Sequence, residues 1–78
     1  MNRSPMAVMV VDDNADHRGL MVRCLVDDGM AVVSAASGTE ALAKLDEVDL
    51  VLLDHRLPGL SGLDTLRAIQ DMNGPSVI

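Results

Sequence analysis

The chain has 78 residues, which is one small domain with no room for two. Hydrophobic residues make up 49% of it without a single Phe, Tyr or Trp, so Val, Leu, Met and Ala must fill the core; a lone cysteine, Cys24, excludes an intramolecular disulfide. The formal net charge is −6, and six scattered Lys and Arg form no basic patch for nucleic acid.

No apolar run approaches the roughly 20 residues of a membrane span. Residues 1–5 are too short and polar for a secretory signal and read as an N-terminal tail. Residues 6–78 read as one partial domain, and the expected setting is the cytoplasm. Cys24 reads as a small core residue. Neither an internal repeat nor a low-complexity segment is present.

The first strand is expected over about residues 6 to 11, closed by Asp12 and Asp13. Asn14 reads as the N-cap, with Asp16 in the first turn of a helix from about Ala15 to Asp28. Gly29 stops that helix. Leu20, Met21, Cys24 and Leu25 share one face at helical spacing, while Val22 and Val26 lie off it. A second strand follows at Ala31-Val32-Val33-Ser34-Ala35. Ser37-Gly38-Thr39-Glu40 is a capping-box pattern opening a short helix, with Ala41, Leu42, Leu45 and Val48 on one face. Asp46, Glu47 and Asp49 mark its solvated end.

A third strand, Leu50 to Leu53, ends at Asp54. The loop His55 to Gly62 leads to a helix from about Gly62 to Met72, with Leu63, Leu66 and Ile69 facing inward. Asn73-Gly74-Pro75 ends it, and Ser76-Val77-Ile78 opens a fourth strand. This alternation implies an α/β fold with parallel strands and right-handed crossovers. Ligands in such open sheets bind outside the carboxyl ends of the strands, where the strand order reverses. Asp12, Asp13 and Asp54 all stand at carboxyl ends.

Gathered carboxylates repel one another, and a hard dication removes that cost. Oxygen-only ligation with open positions suits Mg²⁺. A carboxylate beside Mg²⁺ can accept a phosphoryl group as an acyl phosphate. No Gly-x-x-x-x-Gly-Lys loop is present to hold a nucleotide, so the donor would be a protein or a small phosphorylated molecule.

Val10-Val11-Asp12-Asp13-Asn14, then Ala36-Ser37-Gly38-Thr39-Glu40-Ala41-Leu42, then Asp54-His55-Arg56-Leu57-Pro58-Gly59-Leu60-Ser61-Gly62-Leu63 resemble a receiver domain of bacterial two-component response regulators. The match covers nearly the whole chain after the first five residues. It implies a flavodoxin-like doubly wound sheet; chemotaxis response regulators are themselves examples of the strand-end rule, so rule and resemblance are not independent. By the resemblance Asp54 is the phosphoacceptor, and Asp12, Asp13, Asp54 and the backbone carbonyl of Arg56 hold Mg²⁺. The implied donor is a sensor histidine kinase or a phosphotransfer protein. The protein would be a phosphoacceptor rather than an enzyme, beyond its own phosphorylation and dephosphorylation chemistry.

Two family elements lie beyond the fourth-strand start at which these residues stop: a Ser or Thr after the fourth strand and a Lys after the fifth. Lys44, on the second helix, does not carry over to that lysine role. His17 and His55 read as surface residues, and the Arg56 side chain as solvated. An incomplete sheet is expected to self-associate through its exposed edge, or the chain is a piece of a longer protein. The alternative function is a receiver-like interaction or dimerisation module that no longer switches by phosphorylation. An Mg²⁺-dependent aspartyl phosphatase of the haloacid-dehalogenase type would carry Asp-x-Asp, but Asn14 and Arg56 stand two residues after Asp12 and Asp54.

Overall fold

Val8, Met9, Val10 and Val11 are each at most 1% exposed, as expected of a strand covered on both faces. They belong to β1 (Ala7–Val11), the first element of a computed structural model that describes residues 6–54, 62–72 and 74–78. After it come α1 (Ala15–Asp27), β2 (Ala31–Ala35), α2 (Gly38–Ala43), a 3-10 turn (Leu45–Glu47), β3 (Leu50–Leu53), α3 (Gly62–Asp71) and β4 (Ser76–Val77). The strands form one parallel sheet in the order β2-β1-β3-β4. The chain moves from β1 to β2 on one side, then returns to place β3 on the other. The order therefore reverses at the carboxyl ends of β1 and β3, where Asp12, Asp13 and Asp54 lie.

Register assigns the two faces of the sheet. Met9 stands level with Val33 and Val51, and Val11 with Ala35 and Leu53. These residues share one face with Val77, and there Ala41, Leu45 and Ile69 complete the core. Leu42 and Val48 pack against it half-buried, so the expected second-helix stripe is present. It is delivered by two pieces of backbone, because α2 ends at Ala43 and Val48 is already extended.

α1 packs against β1 and β2 on the opposite face. Asn14 caps it, its Oδ1 accepting the backbone N–H groups of Asp16 and His17, both at 3.0 Å. At the far end Gly29 has φ +85°, with Gly29 N bonded to Val26 O at 2.9 Å and Met30 N to Leu25 O at 3.1 Å. That is the left-handed exit of a Schellman motif, for which glycine is the unstrained choice. The expected inward stripe of α1 is corrected, however. Leu20 is 61% exposed, and Met21 and Cys24 are exposed as well. The half-buried line runs through Arg18, Val22 and Leu25, and α1 buries no residue fully. A helix turns about 100° per residue, so when residues 18, 22 and 25 face the sheet, residue 24 points well off to the side. Cys24 is accordingly an exposed thiol and not a core residue.

α3 needs a similar correction. Leu63 is 53% exposed, and the inward line is Gly62, Thr65 and Ile69, with Leu66 half-buried. Gly74 follows closely beneath this helix, its N–H donating to Ile69 O at 2.9 Å. A Cβ on Gly74 would stand 2.9 Å from Ile69 Cγ2, so the close approach requires glycine.

The capping box of α2 is also altered in detail. Ser37 Oγ accepts Glu40 N–H at 3.1 Å, but the returning Glu40 carboxylate accepts from Ala36 N–H at 3.3 Å rather than from Ser37. Lys44 donates to Glu40 Oε2 at 2.9 Å and to Ser34 O at 2.8 Å. The Lys44 ammonium, helped by Ala36 N–H, holds the Glu40 carboxyl below the usual glutamate range. The contact thus stabilises the fold at neutral pH and fades as pH falls through that lowered value. Asp49, expected only at a solvated end, accepts Ala7 N–H at 2.9 Å and pins the start of β1.

The two faces of α3 separate by mutation. Ile69→Ala should lower unfolding free energy by about 3 kcal/mol, while Leu63→Ala should change it by less than about 0.5 kcal/mol. Urea unfolding followed by far-ultraviolet circular dichroism measures both, since the chain has no aromatic reporter.

Candidate metal centre

The site is built from backbone outward. Asp12 N donates to Ala35 O at 3.1 Å, and Asp54 N donates to Val11 O at 2.9 Å. Each ladder is thereby extended past its strand, and the two acid-bearing ends lie side by side. Asp12, Asp13 and Asp54 can each present a carboxylate oxygen so that all three oxygens lie within 4.8 Å of one another. Asp12 is only 8% exposed, Asp54 is half-buried and Asp13 is exposed, so the cluster grades from protein to solvent.

The loop after β1 is tightly held. Asp12 Oδ1 accepts Asn14 N–H at 2.9 Å, forming an Asx turn. The Asp12 carbonyl accepts from Arg18 Nη1 at 2.8 Å. Asn14 then caps α1, as described. His17 Nδ1 lies 3.9 Å from Asp12 Oδ2. A cleft of about 550 Å³ opens over this end of the sheet, lined by Asp13, Asn14, His17 and Asp54.

Chemically this is a set of hard oxygen donors with an open side. Like charges at such separations repel, and a divalent cation turns that repulsion into attraction. The donor set fits a small hard dication better than a soft one, because carboxylates are its ligands of choice. No zinc-type cysteine and histidine cluster stands among the described residues.

The structure thus brings together the three aspartates singled out from sequence. Arg56, expected to contribute its carbonyl, lies outside the described residues, as do His55, Leu57, Pro58 and Ser61. Lys44 is at the end of α2, engaged by Glu40 and Ser34, and does not line the cleft. Two participants escaped sequence reasoning. Arg18 is half-buried and grips the acid loop, and His17 lines the cleft although it is solvent-exposed as expected. The usable signal was the Asn14 cap, which puts residue 17 in the first turn directly after the acid pair.

Known proteins carry the same arrangement of strands and helices. The Response regulator receiver domain family profile matches residues 8–78. The transcriptional regulatory protein CpxR of Escherichia coli is 36% identical over 72 residues, covering 91% of this chain and 31% of CpxR. A CheY-like receiver domain protein from Methanospirillum hungatei superimposes with a TM-score of 0.83 at 38% identity, over 91% of this chain and 60% of that one. The response regulator TrrA of Thermotoga maritima, solved in complex with Mg²⁺ and BeF, gives 0.82 at 36% identity, over 86% of this chain and 60% of that one. The chain therefore spans about a third of the length of the curated relative and somewhat over half of the solved domains. With the profile running from β1 to the last residue and the acid cluster at the reversal of strand order, the chain belongs to the response regulator receiver domain family.

Proposed function

We propose that this chain is the phosphoacceptor part of a two-component signalling protein, with Asp54 taking the phosphoryl group. The observation that carries the reading is the convergence of Asp12, Asp13 and Asp54 at neighbouring strand ends within 4.8 Å. The TrrA structure, a relative that holds Mg²⁺ and BeF, supports it.

In this reading an Asp54 carboxylate oxygen forms a bond to phosphorus as the P–N bond of a donor phosphohistidine breaks. The products are an acyl phosphate on Asp54 and a free histidine on the donor, a sensor histidine kinase or phosphotransfer protein. Asp12, Asp13, Asp54 and the Arg56 carbonyl would hold Mg²⁺, which when bound offsets negative charge on the transferring phosphoryl oxygens. The chain's own residues position the acceptor. The bond from Asp54 N to Val11 O places it, while Arg18 and Asn14 hold the loop that carries Asp12 and Asp13. A new phosphoryl charge at the sheet edge then biases whichever conformation satisfies it better. Such a module is not an enzyme in the ordinary sense, and it works in the cytoplasm. No helix among the described residues is long and apolar enough to cross a membrane.

Self-association forms part of the proposal. β2 and β4 are the outer strands of the described sheet. A groove of about 230 Å³ lined by Val10, Met21, Leu52 and Ile78, among others, opens beside α1. Pairing of an outer strand with its counterpart in a second copy would extend the sheet.

Three measurements check these statements. Incubation with Mg²⁺ and acetyl phosphate should add one phosphoryl group by intact mass, and Asp54→Asn should abolish it; a folded chain that takes no adduct points to an interaction module instead. By calorimetry, Asp13→Asn should weaken Mg²⁺ binding by roughly tenfold or more, as loss of a direct ligand should exceed the about tenfold typical of outer partners. Light scattering on a sizing column should give a mass above the 8.3 kDa of one chain, and a well-folded monomer at high concentration would remove the edge-pairing proposal.

A further inference from the structure

His17 is the one imidazole on the described wall of the acidic cleft. It stands on the first turn of α1 with Asn14 Oδ1 accepting its backbone N–H at 3.0 Å, so the cap sets where its side chain starts. Asp12 is equally constrained. Its Oδ1 is committed to Asn14 N–H, which leaves Oδ2 as the oxygen nearer the ring. The separation of 3.9 Å between His17 Nδ1 and Asp12 Oδ2 is too long for a hydrogen bond. It is a length that one metal ion can span. Bonds of about 2.0–2.2 Å to imidazole nitrogen and carboxylate oxygen together reach about 4.2 Å, so 3.9 Å corresponds to a ligand angle wider than tetrahedral. The ring as it stands lies outside the three-carboxylate group, but the side chain is 67% exposed and lines the same cleft as Asp13 and Asp54, so it can turn toward a cation held there.

We infer that His17 is an additional ligand of this centre and sets its metal preference, giving the site an imidazole that binds the borderline ions Co²⁺ and Zn²⁺ in competition with Mg²⁺. The inference rests on Asp12, Asp13 and Asp54 being metal ligands. Three carboxylates alone suit Mg²⁺, but imidazole suits Zn²⁺ and its neighbours; affinity for mixed nitrogen and oxygen sites rises along the first transition row to Cu²⁺ and falls again at Zn²⁺. Mg²⁺ gains little from a nitrogen donor, since it keeps water and oxygen around it. The competing account is an ion pair between His17 and Asp12, which would lend nothing to a metal.

The test uses the metals alone on the full chain. Wild-type protein titrated with Co²⁺ should develop visible ligand-field absorption, and Zn²⁺ should displace it. His17→Ala should weaken Co²⁺ and Zn²⁺ by roughly tenfold or more, by the same reasoning as for the aspartates, while calorimetric Mg²⁺ affinity stays within about twofold. Circular dichroism confirms folding, which an exposed side chain should not disturb. Equal Co²⁺ affinity in wild type and His17→Ala would overturn the inference, and so would a parallel loss for Mg²⁺. The outcomes also separate from the phosphoacceptor reading. Mg²⁺ binding and an Asp54 adduct with no His17 effect would sink only this inference. His17-dependent Co²⁺ binding without an adduct would uphold it and sink the other. A chain that binds none of the three ions would overturn this inference together with the metal reading beneath it.

Discussion

Two backbone hydrogen bonds, from Asp12 N to Ala35 O and from Asp54 N to Val11 O, continue the parallel ladders one residue past the ends of β1 and β3. The acidic end of the molecule depends on them. Strand residues are about 3.3 Å apart, so a slip of one position would shift Asp54 by most of the 4.8 Å within which the carboxylate oxygens gather. It would also turn Val51 and Leu53 away from the Met9 and Val11 side of the sheet. Apolar burial and acid placement are thus two consequences of a single register.

The two faces of that sheet are unequal. One carries the contiguous core of Met9, Val11, Val51, Ala41, Leu45 and Ile69, closed by α2 and α3. The other is covered by α1 over β1 and β2, and toward β3 and β4 it opens into the apolar groove containing Leu52 and Ile78. The acid pair leaves β1 where the two faces meet, and its loop leads straight into the helix of the less covered side.

Much of this was legible in the residues. Short runs of Val and Leu ending at acids marked the strands, and Asn14, Gly29 and Ser37 marked the helix ends, because capping chemistry is local. The gathering of Asp12, Asp13 and Asp54 was legible for the same reason: a strand end followed by Asp-Asp-Asn places acids where parallel sheets collect ligands. The inward faces of α1 and α3 were not. Both helices offer more apolar residues than one contact face can bury, and only the tertiary arrangement selects Val22 and Leu25 over Leu20 and Cys24, or Thr65 over Leu63. Arg18 was missed because its partner is a backbone carbonyl, which carries no sequence signature.

That α1 buries no side chain fully has a consequence for dynamics. Segments with few buried contacts open locally at a fraction of the global unfolding free energy. α1 is held to the sheet by three half-buried residues and at its ends by caps, so its opening is governed by those hydrogen bonds more than by the hydrophobic core. The helix and the acid loop share the hydrogen bonds of Asn14 and Arg18, which couples the opening of one to the other. A cation or phosphoryl group that orders the loop would slow amide exchange along α1 as far as Leu25, well away from any atom it touches.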